Sequence, residues 1–313
     1  MQAVVVEHRG ETGSLREVPV PNPAPNEILV RVTAAGVNPI DWKMRDRDDR
    51  RFPFVLGQDF AGVVSATGNR VTKYREGERI FGMSRDHGSY AQYTLVPEED
   101  RVQPVCKIAD GVGDADAAAL PTAGLTALAA VDALHVVNGT TLLVLGATGG
   151  VGGYAVQMAH DRGARVIGSG AAASEAYARS LGVDEFVAYD RDDVAAAVKA
   201  AHPQGVDAAL DLVDDEENAK KLGDVIRAGG TIVSTIGAID ENWFSQRKIA
   251  GINLVVFKTL ESSHAGLRTL LELVEQGRIR VTIAAERPLS EAVEALEDSK
   301  RGRVNGKIVI TVA

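Results

Sequence analysis

A chain of 313 residues is long enough for about two domains with real cores, which excludes a small fold held only by disulfide or metal staples. Charged residues make up 25% and hydrophobic ones 45%, which excludes a disordered acidic chain. A net charge of −9 excludes any general attraction for phosphate backbones or anionic bilayers, so neither nucleic acid nor a membrane is an expected partner.

The lone cysteine, Cys106, permits no internal disulfide and neither a four-cysteine nor a two-cysteine, two-histidine zinc site. A reducing compartment follows, and the cytoplasm is the expected location. The opening valine run, Val4 to Val6, is too short for the apolar segment of a signal peptide. No stretch approaches the roughly 18 apolar residues of a membrane span.

In chain order, the first third reads as short strands between turns. Ala3 to Val6 and Ile28 to Ala34 are strand candidates, separated by Val18-Pro-Val-Pro-Asn-Pro-Ala-Pro25, which is no helix interior. Ala61 to Ala66, Arg79 to Phe81 and Tyr90 to Val96 continue the β-rich region, with glycine turns at Gly57, Gly68, Gly77 and Gly82. Near Ala115 the pattern changes. Ala117 to Val131 is Ala/Leu-rich and helical, broken at Pro121. Strands and helices then alternate. Thr141 to Leu145 is followed by a helix over Gly150 to Arg162, and Arg165 to Ile167 by a helix through Ser180. Glu185 to Ala188 is followed by a helix from Asp192, and Val206 to Leu212 by a helix through Ile226. The strands Thr231 to Ser234 and Ile252 to Phe257 close the series. Strands spaced by helical segments imply βαβ crossovers and a parallel, doubly wound sheet over roughly 119–257. His264 to Gln276 and Leu289 to Lys300 read as amphipathic helices, and Lys307 to Val312 as a last strand whose domain the periodicity leaves open.

The strongest local signal is the run from Leu142 to Gly153, in which an apolar strand enters a glycine turn that opens an apolar helix. That is the setting of a dinucleotide-binding turn. Gly149 lets the backbone approach a diphosphate, Gly152 allows close helix–strand packing, and the helix start offers amide donors. Ala147 stands where such turns commonly have their first glycine, and Thr148, Gly150 and Val151 complete the candidate set. NAD-binding versions carry an acid about 20 residues on, at the end of the second strand. Ser169 to Ser174 contains none, whereas Ser169, Ser174 and Arg179 are available to a 2′-phosphate. NADPH is therefore the expected cofactor.

Several motifs in order resemble those of the medium-chain dehydrogenase/reductase superfamily, and within it the zinc-independent quinone oxidoreductase (zeta-crystallin-like) group. They are Ala35-Gly-Val-Asn-Pro-Ile-Asp-Trp-Lys43, Pro53-Phe-Val-Leu-Gly-Gln-Asp-Phe-Ala-Gly-Val-Val64, Gly77-Glu-Arg-Ile-Phe81 and Gly88-Ser-Tyr-Ala-Gln-Tyr93. Ala118-Ala-Leu-Pro-Thr-Ala-Gly-Leu-Thr-Ala127, Ala147-Thr-Gly-Gly-Val-Gly152 and Gly306-Lys-Ile-Val-Ile310 complete the series. The resemblance spans nearly the whole chain. It implies an α/β protein with a GroES-like β-rich catalytic domain built from residues 1–118 and 258–313. A Rossmann domain over 119–257 is inserted between them, with the active site in the cleft. In zinc-dependent relatives a cysteine stands at Asn38, a histidine at Gln58 and a third ligand near Thr122, so the resemblance implies no catalytic zinc.

Without a metal to polarise an alcohol or simple ketone, hydride transfer suits an acceptor that is already electrophilic, such as a quinone or an α,β-unsaturated carbonyl compound. The Asp41-Trp-Lys43 form resembles the enone and alkenal reductases of the group. Lys43 is the candidate to stabilise an enolate or give up a proton, and Asn38 to contact substrate or nicotinamide ribose. If the stretch is extended, Asp41 shares a face with Lys43. By family position Thr126, Tyr189, Ile236, Phe257 and Asn305 line the cofactor. His87 and His264 sit in loop-like contexts with no clustered ligands, and Ser84 and Ser89 lack a nucleophile-elbow setting. An enoyl-thioester reductase, a biosynthetic tailoring reductase and a non-catalytic NADPH-binding protein are the alternatives. Ile252 to Phe257 would be an exposed apolar sheet edge in a monomer, and the resemblance, whose members pair this strand between two copies, implies a homodimer.

Overall fold

Short Val- and Ile-rich runs broken by glycine and proline bury their apolar faces only by pairing with one another. The computed structural model, which describes residues 1–47, 51–84, 87–100, 102–255, 263–302 and 304–313, shows how they pair. The chain forms two compact units. The first comprises Met1–Leu125, Leu260–Gly277 and Val281–Ala313, the second Thr126–Thr259 with Arg278–Arg280.

The first unit opens with β1 (Gln2–Val6), β2 (Ser14–Glu17) and β3 (Glu27–Gly36), followed by the short helix α1 (Pro39–Lys43). Next come β4 (Phe54–Val55), β5 (Asp59–Thr67), β6 (Arg79–Met83), β7 (Tyr93–Pro97) and β8 (Val105–Lys107). Then follow α2 (Asp114–Ala119) and α3 (Pro121–Ala133), separated where the proline interrupts the Ala-rich run; α3 begins in the first unit and continues into the second from Thr126.

In the second unit β9 (Thr141–Leu145) leads to α4 (Gly150–Asp161), β10 (Arg165–Gly170) to α5 (Glu175–Ser180), and β11 (Glu185–Ala188) to α6 (Val194–Ala201). β12 (Val206–Asp211), α7 (Glu216–Lys221), β13 (Ile226–Ser234), α8 (Glu241–Ser245) and β14 (Ala250–Asn253) complete it. The strands lie in the order β11-β10-β9-β12-β13-β14, and every pair is parallel. This is the doubly wound sheet whose strand order reverses at β9, where ligands bind at the carboxyl ends of the strands. Leu143, Ile167, Ala209, Ile232 and Phe244 form its core.

After the helix Ser263–Glu275 the chain adds β15 (Ile283–Pro288), the helix Ala292–Arg301 and β16 (Lys307–Thr311). These strands join the N-terminal ones in a sheet ordered β15-β16-β3-β5-β6-β8, with β7 also paired to β3. β3 is long enough to serve two partners along one edge. Glu27 to Arg31 pair with β7, and Ala34 to Gly36 with β16. The C-terminal strand is thereby set beside the segment that leaves β3 at Val37 and carries Asn38.

Four expectations change. The segment after Asn38 is a helical turn, because proline sits at its first position and the Asp41 side chain accepts the Asn38 backbone N–H at 2.8 Å. Asp41 and Lys43 therefore share no face; one is buried and the other exposed. The helix expected through Ile226 stops earlier, at the 3-10 turn Leu222–Asp224, and Ile226 pairs with Val206 in the sheet. The strand expected from Tyr90 starts at Tyr93. The strand expected over Ile252 to Phe257 is observed as Ala250–Asn253, at the edge of its sheet; Phe257 lies outside the described residues. β2, β4, β8 and β15 are not anticipated by the sequence. β2 is mostly exposed and polar and β8 is three residues long, so neither has a readable alternation. Among the described residues, no helix is long and apolar enough to cross a membrane.

Leu143 lies fully buried at the centre of the parallel sheet. Leu143→Ala is expected to cost about 2–5 kcal/mol, read as a lower urea midpoint for the second unit.

Candidate functional site

The glycine turn of the second unit starts where β9 runs out of sheet partners. Gly146 takes φ +78°, a conformation suited to glycine, and the Ala147 N–H is tied to the Ser169 carbonyl at 2.9 Å. Gly149 precedes α4 in an extended conformation, and no side chain caps the helix. The Gly153 N–H is bonded to the Gly149 carbonyl at 2.8 Å, so the amides of Gly150, Val151 and Gly152 lie in the first turn, where a helix offers no internal acceptor. A Cβ on Gly152 would stand 2.1 Å from the Gly146 carbonyl oxygen, so helix and turn pack too closely for any side chain there. A Cβ on Gly149 would meet nothing nearer than 3.6 Å. The protein leaves open space at Gly149 that a side chain would fill. Uncapped amides beside an open backbone fit an anionic group, such as a diphosphate.

Around this turn, Thr148 and Ser169 are buried, and Ser174 is buried in the 3-10 turn after β10. Arg179 is held by Glu175, at 2.8 Å through Nη2, and donates to the Asp184 carbonyl. Tyr189 is 58% exposed just past β11. One group escaped the sequence reading. The Asp190 carboxylate accepts the Ala172 N–H at 3.0 Å, so an acid reaches the turn after β10 from the turn that follows β11. At the carboxyl end of β12, Asp211 sits in register with Leu145. Beside it, burial and the neighbouring Asp211 and Asp215 raise the pKa of Asp214 to about 6. Ile236 is exposed after β13 and Thr126 is buried in α3.

The first unit holds a buried polar cluster drawn from five stretches of chain. Asp59, fully buried at the start of β5, accepts the Thr122 hydroxyl at 2.6 Å, the Thr122 N–H at 3.0 Å and the Asn38 Nδ2 at 2.9 Å. Asp41 accepts the Asn38 N–H and the Tyr90 hydroxyl through Oδ2, each at 2.8 Å. Its Oδ1 has no partner among the described residues. Lys307 donates its ammonium to the Val37 carbonyl at 2.8 Å and to the Asn38 Oδ1. Burial, then the charge of Asp59, pushes the Asp41 pKa up to about 7. Burial also raises Asp59 against the pull of Lys307, and it lowers Lys307 against the pull of both carboxylates. Tyr90 is kept in place by Gly57, at φ +88°, where a Cβ would strike the tyrosine ring.

The structure thus joins Asn38 and Asp41 but separates both from Lys43. Asn38 is 1% exposed, with both ends of its amide engaged. Lys43 is exposed at the end of α1, its ammonium 5.5 Å from the Trp42 ring centre. Asn305 lies in the bend before β16, partly buried. Asn38 and Thr122 meet at Asp59 through amide, hydroxyl and backbone donors. Among the described residues no group of three His, Cys, Asp or Glu side chains could hold a metal ion.

Comparison with known proteins gives two family matches. Residues 24–108 match the alcohol dehydrogenase GroES-like domain and residues 181–310 a model described as zinc-binding dehydrogenase. The chain is 31% identical to the chloroplast envelope quinone oxidoreductase homolog of Arabidopsis thaliana, covering 94% of this chain and 92% of that one. It is 30% identical to the 2-methylene-furan-3-one reductase of Solanum lycopersicum, covering 94% and 74%. The structure of the quinone oxidoreductase from Coxiella burnetii superposes with a TM-score of 0.90 at 30% identity, over 100% and 99% of the two chains. A mycobacterial protein complexed with NADPH superposes at 0.88 and 26% identity, over 99% and 100%.

The raised Asp41 pKa has a stability consequence. The folded state holds this proton up to about pH 7, whereas the unfolded chain releases it near the ordinary value of about 3.9. Stability therefore declines as pH rises through that window and levels off above it. Asp41→Asn is expected to flatten the decline, measured as Tm from pH 4 to pH 8.

Proposed function

Because the chain belongs to the quinone oxidoreductase family of the medium-chain dehydrogenase/reductase superfamily, we propose that it is a zinc-independent, NADPH-dependent reductase of quinones or α,β-unsaturated carbonyl compounds. The observation that carries this reading is the uncapped glycine turn beside the open space at Gly149. NADPH, when bound, supplies a hydride. The amides of Gly150, Val151 and Gly152 hold its diphosphate, with Ala147, Thr148 and Gly149 shaping the turn. Ser169, Ser174 and Arg179 are assigned to the 2′-phosphate, with Arg179 exchanging Glu175 for it. Thr126, Tyr189, Ile236, Phe257 and Asn305 are assigned to the cofactor's remaining surface.

Lys43 is the group we assign to the acceptor oxygen. Its exposed ammonium stabilises the negative charge that develops there. Asn38 and Asp41, both buried, position α1 from below and leave the substrate contact to Lys43. The donor set does not fit zinc. Asp59 already accepts three hydrogen bonds from Thr122 and Asn38, Asn38 is committed to Lys307 and Asp59, and Cys106 lies on β8. No step is therefore routed through a metal. The outermost strand, β14, followed by Val255 at 44% exposure, is the surface we assign to a homodimer, as an uncovered edge invites pairing.

A menadione-type quinone, a short enone and a crotonyl thioester, each assayed with NADPH and NADH, test this reading. Faster NADPH oxidation with the quinone or the enone is expected. Lys43→Ala should lower kcat/KM by about tenfold or more, and unchanged turnover would remove Lys43 from the chemistry. Gly152→Val should weaken NADPH binding at least tenfold through the clash with Gly146. Tight NADPH binding with no acceptor reduced would instead make the chain a cofactor-binding protein. Solution scattering should return the mass of a dimer.

A further inference from the structure

Lys307 is a charged residue at the head of an apolar strand, and the fold goes to some length to bury it. Gly306, at φ +98°, permits the turn into β16, and a Cβ there would lie 2.4 Å from the Thr282 carbonyl oxygen. The Lys307 N–H is bonded to that same carbonyl at 2.9 Å, and the Val37 N–H to the Ile308 carbonyl at 3.0 Å. These bonds seat β16 against the segment leaving β3 and direct the ammonium inward, where it is 4% exposed. A buried ammonium is tolerated only when paired and hydrogen-bonded. The charged groups that bear on it are Asp59, from β5, and Asp41, from α1. Those that bear on Asp41 are Asp59 and Lys307, with the Tyr90 hydroxyl as its neutral neighbour.

The Asn38 amide lies between the two signs of charge. Its Oδ1 accepts from Lys307 and its Nδ2 donates to Asp59. A flipped amide would set NH2 against ammonium and carbonyl against carboxylate, so only one orientation is compatible with the charges. Asn38 is also the N-cap of α1, the helix that ends at Lys43.

We propose that Lys307 is a positioning residue: its buried ammonium fixes the orientation of Asn38 and balances Asp59, and so holds the helix that presents Lys43. This rests on the reading of Lys43 as the group at the acceptor oxygen. Two carboxylates face one ammonium, leaving one negative charge in excess. Asp59, with three donors and Lys307 nearby, keeps its charge. Asp41, with one oxygen unpartnered, is where the proton resides.

The test is a pH-resolved thermal cycle on Lys307→Met, Asp59→Asn and the double variant, with steady-state kinetics alongside. Removing the ammonium leaves two carboxylates unbalanced. The Tm of Lys307→Met should therefore fall increasingly below that of the unaltered protein from pH 5 to pH 8, and adding Asp59→Asn should close most of that gap. A misplaced helix should lower kcat on the order of 10²-fold, with the NADPH dissociation constant unchanged. A loss of Tm that is the same at every pH, or a gap that Asp59→Asn leaves open, would mean a merely structural lysine and overturn the proposal. So would an unchanged kcat. Should Lys307→Met not fold, Asp59→Asn alone is decisive. With the neighbouring charge gone, the pH window of declining stability assigned to Asp41 should move to lower pH, and an unmoved window refutes the network. The thermal cycle needs no acceptor. If the unaltered protein reduces neither quinones nor enones, the functional reading fails while the cycle still judges the network. If it reduces them and the cycle shows no coupling, Lys307 alone is excluded.

Discussion

A carboxylate without solvent contact constrains half of this molecule. Asp59 is fully buried, and an ionised carboxylate in such surroundings persists only if donors converge on it. Here they come from far along the chain. Thr122 supplies two at the start of α3, Asn38 supplies one beyond β3, and Lys307 supplies the opposing charge from the last strand. None of these groups can be moved without exposing the others to an unpaired charge. The sheet is arranged accordingly. β3 takes β5 on one edge and both β7 and β16 on the other, and that brings residues 38, 59 and 307 to one place. The C-terminal strand is thus held within the first unit by backbone pairing and by the hydrogen bonds of a buried ammonium to Val37 and Asn38.

The second unit is governed by a different economy. Its anion site depends on what is missing: no side chain caps α4, none is possible at Gly152, and none occupies the space at Gly149. Backbone amides of a short turn then suffice, because a helix start leaves its first donors unsatisfied. Such a site tolerates change in every neighbouring side chain that does not enter the space. The cluster of the first unit has the opposite character, since each side chain there is both donor or acceptor and counter-charge.

This difference explains what could be read in advance. The alternation of strands and helices in the second unit was legible, although the helix before β13 and the last strand were misplaced. β9 and β11 fall at the expected residues, because apolar runs bounded by glycine leave few alternatives. The glycine turn was legible for the same reason, its chemistry being local. Asn38, Asp41 and Lys43 were found as a motif, but their division of labour was not. An extended reading placed Asp41 with Lys43, whereas a proline at the first position and an acid at the third make the segment helical and send the two side chains apart. Asp59, Tyr90 and Lys307 stood inside motifs that carried the family resemblance, yet their meeting was invisible, as no spacing along the chain relates residue 59 to residue 307. A signal was available. A charge within an apolar strand run, as in Gln58-Asp-Phe-Ala61 or Gly306-Lys-Ile-Val309, is rarely buried unless paired, and two such runs of opposite sign imply one another. Asp190 reached the turn after β10 from the turn that follows β11, and its approach too depends on sheet register that the sequence does not display.

The same ammonium also decides what else the cluster can hold. A metal ion would take the carbonyl oxygen of Asn38 and a carboxylate oxygen of Asp59. Lys307 already occupies the first, while the two Asp59 oxygens take three donors between them, the Thr122 hydroxyl on Oδ1 and the Thr122 N–H and Asn38 Nδ2 on Oδ2. Seating a divalent cation would require the lysine to leave and the amide to turn, which would bring Nδ2 against the site of the departed charge and free Asp59 of one donor only. In the proposed reading, the Asn38 orientation that Lys307 favours is one in which the amide oxygen is already taken. Within a family whose matching model is described as zinc-binding, charge balance in this chain is achieved from within the fold. In the proposed reading the electrostatic task at the acceptor falls to Lys43, a side chain on the surface of α1.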